Sequence, residues 1–379
     1  MTAIAADIDV RPPSTILPQG PVRVGEGRWS AYIAVAFGAL SLMGVLAFAY
    51  PSVLTTPALR ASYDVPLLRG LIAAGLAVSA VFGSVGLLKG KKPGVALAGL
   101  GLSAFAMAFG GPAVAIGPIH ESPFTIGLDW LAIGFLTTGG LFLLIEKAFP
   151  LRREQPIFRK DWLLDLKHFV FFHLLVSGFL FLTNAIVRDV LGWMIVPEIG
   201  DAVASLPGWV QFFLILAAVD FLQYWAHRLY HETDFFWRIH SVHHSAETMD
   251  WLASSRLNIL EPLITRTLGL FAITALGFEE GPVQAYIAFI GFHATFIHAN
   301  CRFDFGPLDW IFVTPKHHHW HHAKAEEAVN TNYAVHLSFL DRIFGTLHLP
   351  KAWPDAYGVV DGEPPTGLIK QQLHPFMGR

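Results

Sequence analysis

The sequence contains little charge and almost no cysteine. Only 15% of its 379 residues are Asp, Glu, Lys or Arg and 53% are hydrophobic, whereas soluble globular proteins carry about 25% charged residues. The net charge of -3 offers no positive excess to neutralise a phosphate backbone, so we expect no nucleic-acid partner. The single cysteine, Cys301, excludes an intrachain disulfide and a cysteine-based metal site. This composition is typical of a membrane protein.

Long apolar runs predict the fold class. About 20 helical residues are needed to cross the hydrocarbon core of a bilayer. We predict eight spans, of which the sixth and eighth are marginal in length: 29–49, 67–88, 94–116, 130–149, 162–187, 209–225, 257–277 and 283–299. The sequence therefore predicts an all-α, polytopic membrane helix bundle.

Basic residues near the span ends predict the orientation, because cytoplasmic loops are rich in Lys and Arg. Such residues precede the first span, follow the second and surround the connection between the fourth and fifth, whereas the loop 117–129 has none. Arg60 and Arg69, in the first loop and at the start of the second span, weaken the alternation. We expect both termini and all histidine clusters to be cytoplasmic.

The polar stretch 151–161 suggests a division of the chain into regions. We predict a cytoplasmic tail at 1–28, a four-helix membrane region of unknown role at 29–150 and a C-terminal tail at 351–379. Between them, 151–350 is predicted to be a domain of four spans with a cytoplasmic, histidine-rich helical cap.

Histidines are the prominent feature of that domain. Twelve of the 18 lie between His227 and His322. Residues at i, i+3 and i+4 share one helical face, so each cluster can direct two or three imidazoles to one point. The clusters are HRLYH, HSVHH and HHHWHH, which contain His227 and His231; His240, His243 and His244; and His318, His321 and His322.

Eight clustered histidines exceed the four ligands of one tetrahedral metal, so the count favours two metals. Imidazole binds iron, zinc, copper and nickel, and ligand chemistry alone does not choose between them. The sequence has no E-x-x-H pair and no HExxH motif. The usual carboxylate-bridged di-iron bundle and the common zinc-protease site are therefore excluded.

Three further residues are candidates for the same site. Asp220 shares a helical face with His227, and we expect its carboxylate to hold that or another ligand imidazole; the alternative is an ion pair with Arg228. His298, at the cytoplasmic end of the eighth span, is predicted to be a ninth ligand. His293 lies five residues earlier, about 140° around the helix, and is predicted to support the site without binding metal.

Four segments carry a family resemblance. DFLQYWAHRLYH, WRIHSVHHS, PKHHHWHH and NYAVHLSFLDRIFGT, in this order between about 161 and 350, resemble the fatty acid hydroxylase and sterol desaturase superfamily of membrane di-iron oxygenases. The resemblance implies that the eight clustered histidines hold two non-haem irons at the cytoplasmic face and that His298 is the additional ligand. Family members often have R-x-H-P-x-E where this chain reads RLNILE, so Asn258 and Glu261 are expected to support the site.

The resemblance also implies a reaction. A membrane-dissolved lipid such as a sterol, hopanoid, carotenoid or fatty-acyl lipid would be hydroxylated, or desaturated, at a C–H bond. Dioxygen is consumed, and electrons come from a separate donor, a reductase with a ferredoxin or cytochrome. No catalytic residue beyond the metal ligands is predicted. The histidine clusters alone also leave open a metal-ion transporter, a zinc-binding protein or a bis-histidine haem protein.

Overall fold

The structure, a computed structural model, describes residues 29–90, 92–120 and 125–377. These residues form helices, turns and two isolated β-bridges, with no β-strand in the described ranges. The all-α fold predicted from the sequence is confirmed. The predicted tail at 1–28 lies outside the described residues.

The helices are numbered in chain order. The longer ones are α1 (Ser30–Ala49), α2 (Val65–Lys89), α3 (Pro93–Ala108), α4 (Leu128–Ala148), α5 (Trp162–Leu174), α6 (Val176–Val190), α7 (Gly208–Glu232), α8 (Asp234–His244), α9 (Leu260–Ala275) and α10 (Glu280–Phe296), followed by the short α11 (Pro315–His321). Turns of π-helix interrupt α4 at Phe135–Gly139 and end α6 at Ile186–Val190. Other short helices are Pro51–Leu54, Pro57–Arg60, Pro197–Ala204, Phe339–Ile343 and Leu368–Leu373.

Fewer helices than predicted are long enough to cross a membrane. Five of those described, α1, α2, α3 with its continuation to Ala113, α4 and α7, have the required length and hydropathy. A sixth span results if α5 and α6, bent by 54°, are counted together. The stretches predicted as the seventh and eighth spans form α9 and α10, of 16 and 17 residues, which is short for a span of about 20. The count of eight is not confirmed.

The chain folds as two compact units. The first comprises 29–132 with 156–160, and the second comprises 133–155 with 161–377. In the first unit, small residues allow α1, α2 and α3 to pack closely. Ser79 donates a hydrogen bond to the carbonyl oxygen of Ala34 at 2.7 Å, and Ser103 donates to Ser79 at 2.7 Å.

The second unit contains all three histidine clusters. Its apolar core includes Ile215, Leu216 and Tyr224 of α7, which pack with Tyr286 of α10 and with Tyr333 from a later loop. Because this face of α7 is held in the core, the last two turns of the helix present their histidines at a fixed position.

Candidate metal centre

Three helix ends bring the clusters together. His227 and His231 lie in the last two turns of α7, and α8 begins at Asp234 after a short break with extended backbone at Thr233. Asp234 lies in the first turn of α8, where the helix dipole favours a negative charge. The third cluster lies on α11, which starts with Pro315 at its first position, where proline is favoured.

All nine histidines predicted as ligands fall into two groups. Within each group, one nitrogen from every ring lies within 4.8 Å of the others. The five-histidine group consists of His227, His231, His240, His244 and His321, and the four-histidine group consists of His243, His298, His318 and His322. The second and third clusters each contribute to both groups.

Four of these nine rings have an Nδ1 atom that contacts a backbone carbonyl oxygen. The distances are 2.7 Å from His227 to Tyr333, 2.8 Å from His321 to Thr331, 3.2 Å from His243 to Arg256 and 2.7 Å from His298 to Ala294. A carbonyl oxygen only accepts hydrogen bonds, so each of these Nδ1 atoms carries the proton. In the neutral form, each of these four rings therefore has an Nε2 without a proton, and this nitrogen can bind a metal.

The Nε2 atoms then face one another. Those of His243 and His298 are 3.1 Å apart, and both are acceptors without a proton. Two such lone pairs repel each other unless a cation lies between them. A separation of about 3 Å is that of neighbouring ligands at right angles around a metal with bonds of about 2.1 Å. The geometry and the neutral imidazole donors fit a metal at each group.

Burial keeps the rings in the protonation state that metal binding requires. Eight of the nine are buried, and His231 is partly exposed. Loss of solvation, reinforced by neighbouring histidines, lowers the pKa of His244, His318 and His322 well below its ordinary value. These imidazoles are therefore neutral at pH 7, as ligands must be.

A pocket of about 250 Å³ lies beside the five-histidine group. It reaches His231, His244 and His321, and its walls include Trp237 and Val359. A small molecule in this pocket could approach the five-histidine group, whereas the four histidines of the other group do not line it.

Of Glu261 and Asn258, both predicted to support the site, only Glu261 lies next to a predicted ligand. Glu261 lies beside the site, because its Oε1 is 3.1 Å from Nδ1 of His240. Asn258 instead donates to the carbonyl oxygens of Gln371 and Gln372, at 2.9 and 3.1 Å. It therefore fixes the C-terminal segment and not a ligand imidazole.

Two other expectations need correction. Asp220 does not hold His227, whose Nδ1 is taken by Tyr333; its carboxylate accepts hydrogen bonds from the backbone amides of 335–337 at 2.6 to 3.1 Å. A helical face shared with His227 does not bring a short carboxylate within reach of a ring two turns away. His293 lies outside both groups and contacts the carbonyl oxygen of Val313 and the ring of His336, neither of which belongs to a predicted ligand, so these contacts do not show the predicted support of the site.

Sequence reasoning missed the loop that contains Thr331 and Tyr333. The motif NYAVHLSFLDRIFGT covers most of it, but the sequence does not show that its carbonyl oxygens face the histidines. Its polar residues Asn332 and Asp341 are fully buried. These two polar residues among the apolar residues of the motif were the feature of the sequence that could have indicated a structural role for this loop.

Comparison with known proteins identifies the histidine-rich segment. Residues 212–346 match the family model described as Fatty acid hydroxylase. An ornithine lipid hydroxylase from Rhizobium tropici is 29% identical over 259 residues, which are 66% of this chain and 76% of that protein. Human alkylglycerol monooxygenase is 33% identical over 138 residues, 36% of this chain but 30% of its own length. A very-long-chain aldehyde decarbonylase from Arabidopsis thaliana is 26% identical over 170 residues, 38% of this chain and 25% of that protein. No solved structure matches the chain.

The apolar helices indicate an integral membrane protein, and the hydroxylases and monooxygenases among its relatives indicate an oxidoreductase. More particularly, residues 212–346 match the fatty acid hydroxylase family model, and the relatives of the chain include an ornithine lipid hydroxylase and alkylglycerol monooxygenases, which agrees with the resemblance found in the sequence.

Proposed function

We propose that this protein is a membrane-bound, non-haem di-iron oxygenase that hydroxylates a C–H bond of a lipid. The observation that carries the proposal is the convergence of nine histidine nitrogens into two separate groups, in which neighbouring Nε2 atoms lie 2.9 to 3.2 Å apart. The membership of residues 212–346 in the fatty acid hydroxylase family supports iron over zinc, copper or nickel.

Each group holds one iron in this proposal. When bound, the two irons supply the dioxygen chemistry that oxidises an unactivated C–H bond. The protein's own contribution is positional. Backbone carbonyls fix the orientation of four rings, Glu261 lies beside a fifth, and burial keeps the imidazoles neutral.

The substrate is proposed to be a membrane lipid. Support comes from the names of two relatives, an ornithine lipid hydroxylase and an alkylglycerol monooxygenase, and from the apolar helices of the same unit. Insertion of one oxygen atom consumes dioxygen, two electrons and two protons and releases water, so a separate electron donor is part of the proposal. Desaturation of the same lipid is the alternative outcome.

The histidine groups and both termini are proposed to be cytoplasmic. The distribution of Lys and Arg at the span ends supports this orientation. An electron donor on the same side could then reach the centre.

A comparison of lipid extracts tests the reaction. Cells that express the chain are compared with cells that express His243→Ala, which removes one ligand of the four-histidine group. We expect one lipid class to gain a single oxygen only with the unchanged chain, and labelled dioxygen identifies the source of that oxygen. Identical extracts would contradict the proposal, and loss of two hydrogens without added oxygen would establish desaturation.

A further inference from the structure

A short loop, residues 331–337, passes beside the five-histidine group, and we call it the strap. Its first carbonyl oxygen, that of Thr331, contacts Nδ1 of His321 at 2.8 Å. The carbonyl oxygen of Tyr333, two residues later, contacts Nδ1 of His227 at 2.7 Å. One stretch of backbone thus fixes two rings that come from different helices.

Asn332 lies between these two carbonyls and holds the strap from one side. It is fully buried and has a φ of 58°, a left-handed conformation that asparagine tolerates better than most residues. Its side-chain amide donates to the carbonyl oxygens of His317 at 3.0 Å and His348 at 2.7 Å, and its Oδ1 accepts from the amide of His348 at 2.7 Å. These three bonds restrain the peptide groups on either side.

Buried carboxylates hold the rest of the strap. Asp341, which is fully buried, accepts hydrogen bonds from the amides of Tyr333 at 2.7 Å and Ala334 at 3.1 Å, and from the hydroxyl of Thr346 at 2.7 Å. Its Oδ2 is also 3.4 Å from Nε2 of His317. Since Asp220 accepts from the amides of 335–337, two carboxylates together bind five consecutive amides.

In the four-histidine group, the two rings whose Nδ1 contacts a carbonyl oxygen use partners outside the strap. His243 contacts the carbonyl oxygen of Arg256, and His298 contacts that of Ala294 in its own helix. The carbonyl oxygens that orient His243 and His298 are therefore separate from those that orient His227 and His321.

We propose that Asn332 and Asp341 are positioning residues for one metal only, the metal of the five-histidine group. By fixing the strap, they set the proton on Nδ1 of His227 and His321 and direct both Nε2 atoms to that metal. Loss of an outer hydrogen-bond partner typically weakens metal binding about 10- to 100-fold. The inference rests on the proposed two-metal centre and adds that its two halves can be weakened independently.

Selective metal release tests this proposal. The full chain is purified in detergent, loaded with Co²⁺ and exposed to a chelator, while the cobalt absorption spectrum and the amount of metal retained are followed. For Asp341→Asn we expect one Co²⁺ to be released about 10- to 100-fold more readily than from the unchanged chain, while the other is retained normally. Asp189→Asn makes the same chemical change at an exposed carboxylate paired with Arg188 and serves as the matched control.

A second variant covers the case in which Asp341→Asn does not fold. Asn332→Asp tolerates the same backbone conformation but loses the two donated hydrogen bonds, so it should show the same selective release. Unchanged release of both ions, or equal weakening of both, would overturn the strap proposal. If the unchanged chain binds no second metal, the proposed function fails instead, and the two failures are thereby distinguished.

Discussion

The partner of each Nδ1 atom decides what an imidazole in this centre can do. His243 and His298 each donate to a carbonyl oxygen and leave Nε2 free, whereas Nδ1 of His240 lies 3.1 Å from Oε1 of Glu261. A carboxylate partner fixes the ring and also increases the basicity of the ligand nitrogen. Glu261 is buried, so its interaction with His240 is little weakened by solvent.

Replacement of Glu261 by glutamine tests this role. Glu261→Gln keeps the size of the side chain but replaces the carboxyl group beside Nδ1 of His240 by an amide, so metal affinity or turnover should fall by about 10- to 100-fold, less than when a ligand is lost. Glu363→Gln, at an exposed residue paired with Lys324, is the control. Iron content and product formation are measured for both. Equal values for the two variants would show that Glu261 does not support the centre.

Sequence spacing predicted which histidines meet but not which group each one joins. The i, i+4 pair His240 and His244 faces one group, while His243 faces the other. The same division separates His321 from His318 and His322. Helical periodicity places residues on a face, but the position of the neighbouring helices decides what that face meets. The role of Asp220 was misjudged for the same reason, because its partners lie more than 100 residues away in the chain.

Asp220 connects α7 to the strap through its hydrogen bonds, and its replacement should affect stability. Asp220→Asn replaces one acceptor oxygen by an amide group facing the backbone amides of 335–337. An unsatisfied buried donor costs about 1–3 kcal/mol. We expect a lower unfolding temperature in detergent, together with weaker binding of the metal at the five-histidine group. An unfolding temperature equal to that of the unchanged chain would contradict the role inferred from the contacts.

Close helix packing in the first unit gives another test. A Cβ on Gly99 would lie 2.6 Å from the carbonyl carbon of Ala34, so α1 and α3 must separate in Gly99→Ala. Gly101, on the same helix, has no atom within 4 Å of such a Cβ. Overpacking typically costs about 1–3 kcal/mol. The unfolding temperature in detergent should therefore be lower for Gly99→Ala than for the unchanged chain, and it should not fall for Gly101→Ala. Equal unfolding temperatures for the two variants would contradict this packing.

At the scale of the molecule, composition predicted an integral membrane protein, and the long apolar runs predicted the all-α fold. The number of spans was harder to predict from the sequence, because apolar residues occur both on membrane helices and in the protein core. The stretches 257–277 and 283–299 illustrate this difficulty. Their helices α9 and α10 pack against α7, and some of the apolar residues counted toward a span belong to the core around Tyr286.

Orientation can be tested by labelling single cysteines from outside intact cells. Cys301 is buried and is first replaced by alanine. Single cysteines are then placed at His120 and Gly362, both exposed in the structure. We expect an impermeant reagent to label the first position and to reach the second only after the cells are opened. The reverse pattern would overturn the proposed cytoplasmic location of the histidine groups.

The central claim is that two histidine groups each hold one iron. Its most direct test is the iron content of the purified full chain, measured together with that of His321→Ala and His243→Ala, which remove one ligand from each group. We predict two irons in the unchanged chain and a loss toward one in each variant, with membrane insertion unchanged. A single zinc, a haem absorption band, or two irons retained in both variants would contradict the account.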